Sequence, residues 1–457
     1  MQYIKTLHIF LLNIKDKTSI ILLILYDLEI MMSKLDMPVL AFNTVDVGFR
    51  NQLIGAVNAL NKFSKNKIVP EKCFLNPLGI SNISDMKKSF CFSNFSSYRS
   101  FRNEVFLMLD AYIKGNNIIP KVFVCAYNMT ESLTPDKNID MICKVVKEYY
   151  KKNNLGKIFT AVLTSRLHNY QYVDLINVPK HMLTQRSRIR LLNNKKLRKK
   201  TLITIGIIHK FSLKLIKDKR NELENIIEKF NKHKVYKSQL NKIKKFIKSD
   251  KKVVICLGGR VDGNEIIFDT NYAKRLLDRC KSLIHNKYSI AIVNGPRTPN
   301  DVSDFLYEQT LEMDNILFHN CKYIATNASE EKSWRIYSGK NKEAFKNHID
   351  IGNIYPGILG YDNTLAVHTT DSYSCCETPT IGIPTAISSD GIYIDKNIRI
   401  DCINIREQLT PKYVLNFEDF VQLATYMKIE PKHLNPTPLS NTLNVFVEAV
   451  ANRLTNF

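Results

Sequence analysis

The sequence has no CxxC pair. Its ten cysteines are scattered, several of them in apolar runs, and Cys375 and Cys376 are adjacent. No zinc spacing and no disulfide framework is present, which excludes a stapled secreted domain and implies a reducing cytosol. The N-terminal apolar run 20–26, bounded by Lys17 and Asp27, is too short to cross a bilayer, and no small-residue cleavage site follows it. Acidic residues are outnumbered: Asp+Glu 43 against Lys+Arg 66, a net charge of +23. Such a balance favours anionic partners, whether nucleic acid, anionic lipid or phosphorylated substrates. Heavy use of Lys, Asn and Ile throughout explains the same charge as plain compositional bias. The basic run 186–200 contains no aromatic residue. Single-stranded nucleic acid is usually held by stacking on aromatics, so this run reads as a solvated surface and nucleic acid is not an expected partner.

What is present is enough for a core. Apolar residues make up 44% and charged residues 24% of 457, so two large globular domains are expected. Residues 1–34 are expected to be a separate extension, with Met31, Met32 and Met37 as alternative starts. Strands are expected at 38–42, 121–126, 158–163, 172–178 and 202–208, with helices at 101–112 and 138–150. After the turn at Asp46-Val47-Gly48, Leu53, Ala56, Val57, Leu60 and Phe63 recur at helical spacing. Alternating strands and helices predict a parallel sheet covered on both faces. Residues 64–100 mix Ser, Asn and Phe without a clear period.

Residues 212–249 are Lys-rich and helical, with one apolar stripe at Leu223, Ile226, Ile227 and Phe230 and another at Leu240, Ile243, Phe246 and Ile247. They are expected to be the passage between two domains. A second series begins with the strand 253–257 and Gly258-Gly259. The strand 288–293 runs into Gly295-Pro296-Arg297-Thr298-Pro299, where Thr298 is the expected N-cap and Pro299 the first helical residue. Arg297 then stands before a helix N-terminus, where it and free N–H groups suit a diphosphate. The expected domains are 35–211, 250–430, and a Pro-containing linker with a last helix at 431–457, folding back on the first domain.

The stretch 365–384, LAVHTTDSYSCCETPTIGIP, is a buried strand, a polar turn, a short helix and a Pro/Gly stop. Asp371, Ser372 and Ser374 fall where strand hands over to helix, a place suited to phosphate or ribose. Glu377, about one turn on, can reach a sugar hydroxyl. The same residues read equally as a capped helix whose Asp and Ser only satisfy backbone donors.

TTDSYSCCETPTIGIP resembles the mitochondrial fission (elongated mitochondria) protein family. Gly48, Asn51 and Gln52 match its first turn. Asp174, Pro179 and His181 match a strand ending in Pro-x-His, and Gly206 with His209 match the next. Gly258-Gly259 and Arg297-Thr298-Pro299 match its second domain. The resemblance spans roughly residues 38–400. It departs at Asn353-Ile354-Tyr355-Pro356, at Gly295-Pro296 and at Lys180; these changes bear on catalytic competence rather than on the fold.

The resemblance implies an α/β, GT-B-like fold: two Rossmann-like domains with a cleft between them. It implies a glycosyltransferase-like activity that moves a sugar from a nucleotide-diphospho-sugar to a cell-envelope acceptor, lipid-linked or polysaccharide. The nucleotide-sugar is a substrate, and neither a further cofactor nor a metal is implied. Donor-binding residues are Gly258, Gly259, Arg297, Thr298, Asp371, Ser372, Ser374 and Glu377. Asp46, His181 and His209 are candidate bases, though a histidine at a strand end is often structural. The expected location is the cytoplasm, with peripheral contact on the inner membrane face. The alternative implied is a non-catalytic adaptor on a retained GT-B scaffold, recruiting a fission GTPase.

Overall fold

The computed structural model describes residues 37–42, 47–64, 73–75, 97–126, 135–164, 167–168, 170–180, 183, 185–258, 268–295, 297–324, 336–369, 377–388, 414–434 and 442–455. The first domain runs β1 (Val39–Phe42), α1 (Val47–Phe63), β2 (Phe74–Leu75), α2 (Tyr98–Asn116), β3 (Val122–Ala126), α3 (Pro135–Lys152), β4 (Phe159–Leu163), β5 (Leu175–Pro179), α4 (Gln185–Asn193), α5 (Lys195–Lys200) and β6 (Thr201–Thr204). Its sheet has the order β2-β1-β3-β4-β5-β6, parallel throughout. Both faces of such a sheet are covered, so its strands read as continuous apolar runs such as VFVCA and FTAVL. Side chains alternate between the faces. Phe123, Cys125 and Val162 join the core beneath α2 and α3, while Val122, Val124 and Ala161 join the core beneath α1.

The second domain runs α6 (Leu213–Phe230), α7 (Lys237–Lys248), β7 (Lys252–Leu257), α8 (Thr270–His285), β8 (Ser289–Asn294), α9 (Asn300–Thr310), β9 (Ile316–His319), β10 (Tyr323–Ile324), β11 (Ile336–Tyr337), α10 (Lys342–Ile351), α11 (Tyr355–Ile358), β12 (Thr364–Thr369), α12 (Glu377–Thr380), β13 (Thr385–Ser388), β14 (Leu415–Asn416) and α13 (Phe417–Tyr426). Its main sheet has the order β14-β13-β12-β7-β8-β9, again all parallel. Two Rossmann-like domains in one chain make the architecture GT-B-like.

The structure adds to the sequence reading in three places. The stretch 212–249, expected as the passage between two domains, also packs: Ile216 and Leu223 of α6 and Leu240, Ile243 and Phe246 of α7 bury against Val254, Ala291, Val293 and Leu317. The apolar stripes had to be covered, and the second sheet had a bare face to cover. β6 ends at Thr204 rather than at 208, because Gly206 takes φ +82° and turns the chain. β2 lies in the stretch without a readable period. As expected, the last helix α14 (Thr442–Leu454) returns to the first domain, packing Phe446, Val447, Val450 and Ala451 under the sheet. Burial of Phe446 alone contributes roughly 1.5–3 kcal/mol. Arg453 locks the helix end by donating to the carbonyls of Asp174 at 3.1 Å and Lys199 at 2.8 Å. No helix among the described residues is long and apolar enough to cross a membrane.

Candidate functional site

Ligands of open parallel sheets lie beyond the strand carboxyl ends, where the strand order reverses. In the second domain the chain lays β8 and β9 on one side of β7 and then returns to place β12 on the other. The reversal therefore lies between β7 and β12. There the Gly258 N–H donates to Thr369 Oγ1 at 2.9 Å. Thr298 closes the neighbouring turn. Its Oγ1 accepts the Gly295 N–H at 2.9 Å and donates toward the carbonyls of Gly258 at 2.8 Å and Leu257 at 3.2 Å. Gly295 is obligatory at this contact, since a Cβ would stand 2.6 Å from the Leu257 carbonyl oxygen. Pro299, not Thr298, takes the N-cap position of α9, because the Thr298 hydroxyl is engaged with the end of β7.

The turn is supported from behind. Lys322 Nζ donates to the Thr298 carbonyl at 2.7 Å and to Asn300 Oδ1 at 2.9 Å. Burial pushes its ammonium down to about 8. Beside it, Asn294 accepts the Cys321 N–H at 2.7 Å and donates to Asn320 Oδ1 at 2.6 Å. His319 and His348 stack with ring centroids 5.3 Å apart. Burial drives both toward neutrality, His319 to about 4. Arg297 is half-buried in the supported turn.

Glu377 opens the short α12 and is buried, at 8% exposure. Thr378 beside it joins His368 Nε2 at 3.1 Å and Thr385 Oγ1 at 2.8 Å, and Gly382 at φ +77° closes the passage. Gly259, Asp371, Ser372, Ser374, Asp46 and His181 lie outside the described residues.

The first domain meets this edge through the segment after β6. His209 is 1% exposed. Its Nδ1 accepts the Phe211 N–H at 3.1 Å, which requires a lone pair there. The proton of the neutral ring therefore sits on Nε2, which donates to Thr380 Oγ1 at 3.1 Å. In this arrangement His209 joins the two halves as a donor. Next to it, Lys210 is held below the usual ammonium range by burial and then by the nearby Arg50 guanidinium, while Glu377 pulls it back up. Arg50, Lys210 and Glu377 thus share one electrostatic neighbourhood, drawn from the carboxyl ends of β1 and β6 and from the loop after β12.

Sequence reasoning missed Arg50 and Lys210, although each adjoins a residue it had chosen, Asn51 and His209. Asp174, part of the resemblance, sits at the opposite edge of the sheet. It accepts Thr160 N–H and Oγ1–H at 2.9 and 2.8 Å and Lys147 Nζ at 2.8 Å, a structural tie at the amino end of β5. A cavity of about 430 Å3 lined by Tyr361, Thr364, Gly382 and Pro384 lies at the amino ends of β12 and β13, beyond the turn that Gly382 makes. Among the described residues no cluster of three or more His, Cys, Asp or Glu could hold a metal.

No protein-family model and no curated protein matches the chain, and none of the comparisons supports the mitochondrial fission family. Among solved structures, the chain is similar to UDP-GlcNAc 2-epimerase from Neisseria meningitidis bound to UDP-GlcNAc. Identity is 12%, with 92% of this chain and 99% of that chain covered and a TM-score of 0.44. It is similar to the catalytic domain of starch synthase IV from Arabidopsis thaliana bound to ADP and acarbose, at 8% identity, 93% and 100% coverage and a TM-score of 0.40. Acinetobacter baumannii MurG follows at 8% identity, 92% and 99% coverage and a TM-score of 0.34.

Proposed function

We propose that the chain is a GT-B-type glycosyltransferase that moves a sugar from a nucleotide-diphospho-sugar to a cell-envelope acceptor, lipid-linked or polysaccharide. What supports this reading is that His209 after β6 bonds Thr380 of α12 at 3.1 Å, and that Arg50 and Glu377 both act electrostatically on the neighbouring Lys210. The second domain takes the donor. Glu377 receives the ribose or sugar hydroxyls, and the turn bearing Arg297 and Thr298 faces the diphosphate, with Gly258, Gly259, Asp371, Ser372 and Ser374 around it. Positive charge on Arg50 and Lys210 opposes the charge that develops on the leaving diphosphate, so the step needs no divalent ion. The acceptor oxygen bonds to the anomeric carbon as the carbon–diphosphate bond breaks, and a base of the first domain takes the hydroxyl proton. His181 and Asp46 are the bases of choice, because both ring nitrogens of His209 are engaged. The enzyme works in the cytoplasm, in peripheral contact with the inner membrane face.

The test is a nucleotide panel read by melting temperature: UDP, GDP, ADP, dTDP and CMP forms, with and without sugars. A ligand at about 100 times its Kd stabilises by roughly 2.7 kcal/mol. One nucleotide should raise the melting temperature of the wild type and not of Glu377→Ala or Arg297→Ala. A folded sample that responds to none would replace this reading with the adaptor on a retained GT-B scaffold.

A further inference from the structure

We propose that α4 and α5 form a docking face for an anionic membrane surface. The two helices are tied to the first domain by Leu191 and Leu197, which bury in its core. On the outside, Ile189 is 50% and Leu192 71% exposed. Three positions apart on one helix, they share a face, and Arg188 lies one turn before Leu192 on the same side. Around them Arg186, Arg188, Lys195, Lys196, Arg198 and Lys199 are all exposed, and among the described residues none of the six meets a carboxylate. No acidic residue occurs anywhere between Asp174 and Asp218.

A merely solvated charged face mixes signs and keeps large apolar side chains out of water. This one does neither. Exposed apolar residues set among unopposed cations are what an interfacial helix uses: the apolar side chains enter the headgroup boundary while the cations meet lipid phosphates. Nucleic acid would use the cations but has no use for Leu192, and α4 and α5 offer no aromatic ring for stacking. Helix α4 starts just beyond the carboxyl end of β5, and α5 leads back to the amino end of β6. A membrane held at the α4 end presents a lipid-linked acceptor toward the carboxyl edge of the first sheet. That purpose rests on the transfer reading; the docking itself does not.

The experiment is co-sedimentation of the full chain with vesicles of phosphatidylcholine alone or doped with phosphatidylglycerol, at low and high salt. The wild type should bind the doped vesicles and lose binding as salt screens the charges. Ile189→Ser with Leu192→Ser keeps the net charge and, on exposed positions, the melting temperature. It should bind roughly tenfold more weakly or worse. No binding of the wild type at low salt overturns the proposal. Equal binding by the double variant also overturns it, leaving only a loose charge effect. Capture of a single-stranded oligonucleotide without vesicle binding overturns it in favour of nucleic acid. The nucleotide melting shift on the same samples is read separately. Vesicle binding without that shift keeps the docking face and removes the transfer reading, while the shift without vesicle binding does the reverse.

Discussion

His209 Nε2 and Thr380 Oγ1 lie 3.1 Å apart although 171 positions separate them in the chain. Each belongs to a different domain, His209 to the segment after β6 and Thr380 to the end of α12. The backbone N–H of Phe211 fixes the donor role of the imidazole, so the pair has one sense. Removing either partner should cost about as much as removing both. In a double-mutant cycle of Thr380→Val and His209→Leu, we expect a coupling energy of ~0.5–1.5 kcal/mol. Additive losses in denaturant unfolding would mean the bond contributes nothing to the junction.

Gly55 sits under the same segment. A Cβ there would meet the His209 carbonyl oxygen at 2.3 Å. An alanine in mid-helix normally gains up to about 1 kcal/mol over glycine. Here the obstacle is backbone, which cannot swing aside, and overpacking of this kind costs ~1–3 kcal/mol. Gly55→Ala should therefore lower the melting temperature, and a rise would show that α1 can retreat.

Thr298 serves three backbone groups with one hydroxyl. Thr298→Val keeps the shape and leaves the Gly295 N–H and the Gly258 carbonyl without it. The expected loss is ~1–3 kcal/mol, the cost of unpaired buried groups. Because the turn carries Arg297, the nucleotide-dependent melting shift should shrink as well. An unchanged shift with lowered stability would separate the turn from the ligand.

The stacked His319–His348 pair predicts acid sensitivity. A histidine whose folded value is depressed stabilises fully above its unfolded value, near 6.5, and loses that contribution as pH falls toward the folded one. His319 is pushed down to about 4, with burial as the largest cause. Between pH 6.5 and 4 the unfolded chain binds more protons, so stability should fall by up to ~3 kcal/mol from this group. Melting curves across that window should be steeper for the wild type than for His319→Gln. Parallel curves would place the acid sensitivity elsewhere.

Much of the architecture was legible because parallel strands are buried on both faces and announce themselves as short runs such as VVICL, IAIVN and VFVCA. The same apolar patterning, with the glycines that end strands, located most strands of both sheets and the turns at Gly258 and Gly295. Local chemistry is enough for that. Where helices go is not local: the stripes of α6 and α7 declared that those helices needed a partner but not which sheet would supply it. The caps were also decided from afar, since the Thr298 hydroxyl went to the end of β7 rather than to its own helix. The grouping of Arg50, Lys210 and Glu377 depends wholly on how two domains meet, and no spacing along the chain encodes a meeting of residues that far apart. The amino acids determined where the elements and their polar turns would be; only tertiary packing decided which turns face each other, because that is set by burying the apolar faces of both sheets at once.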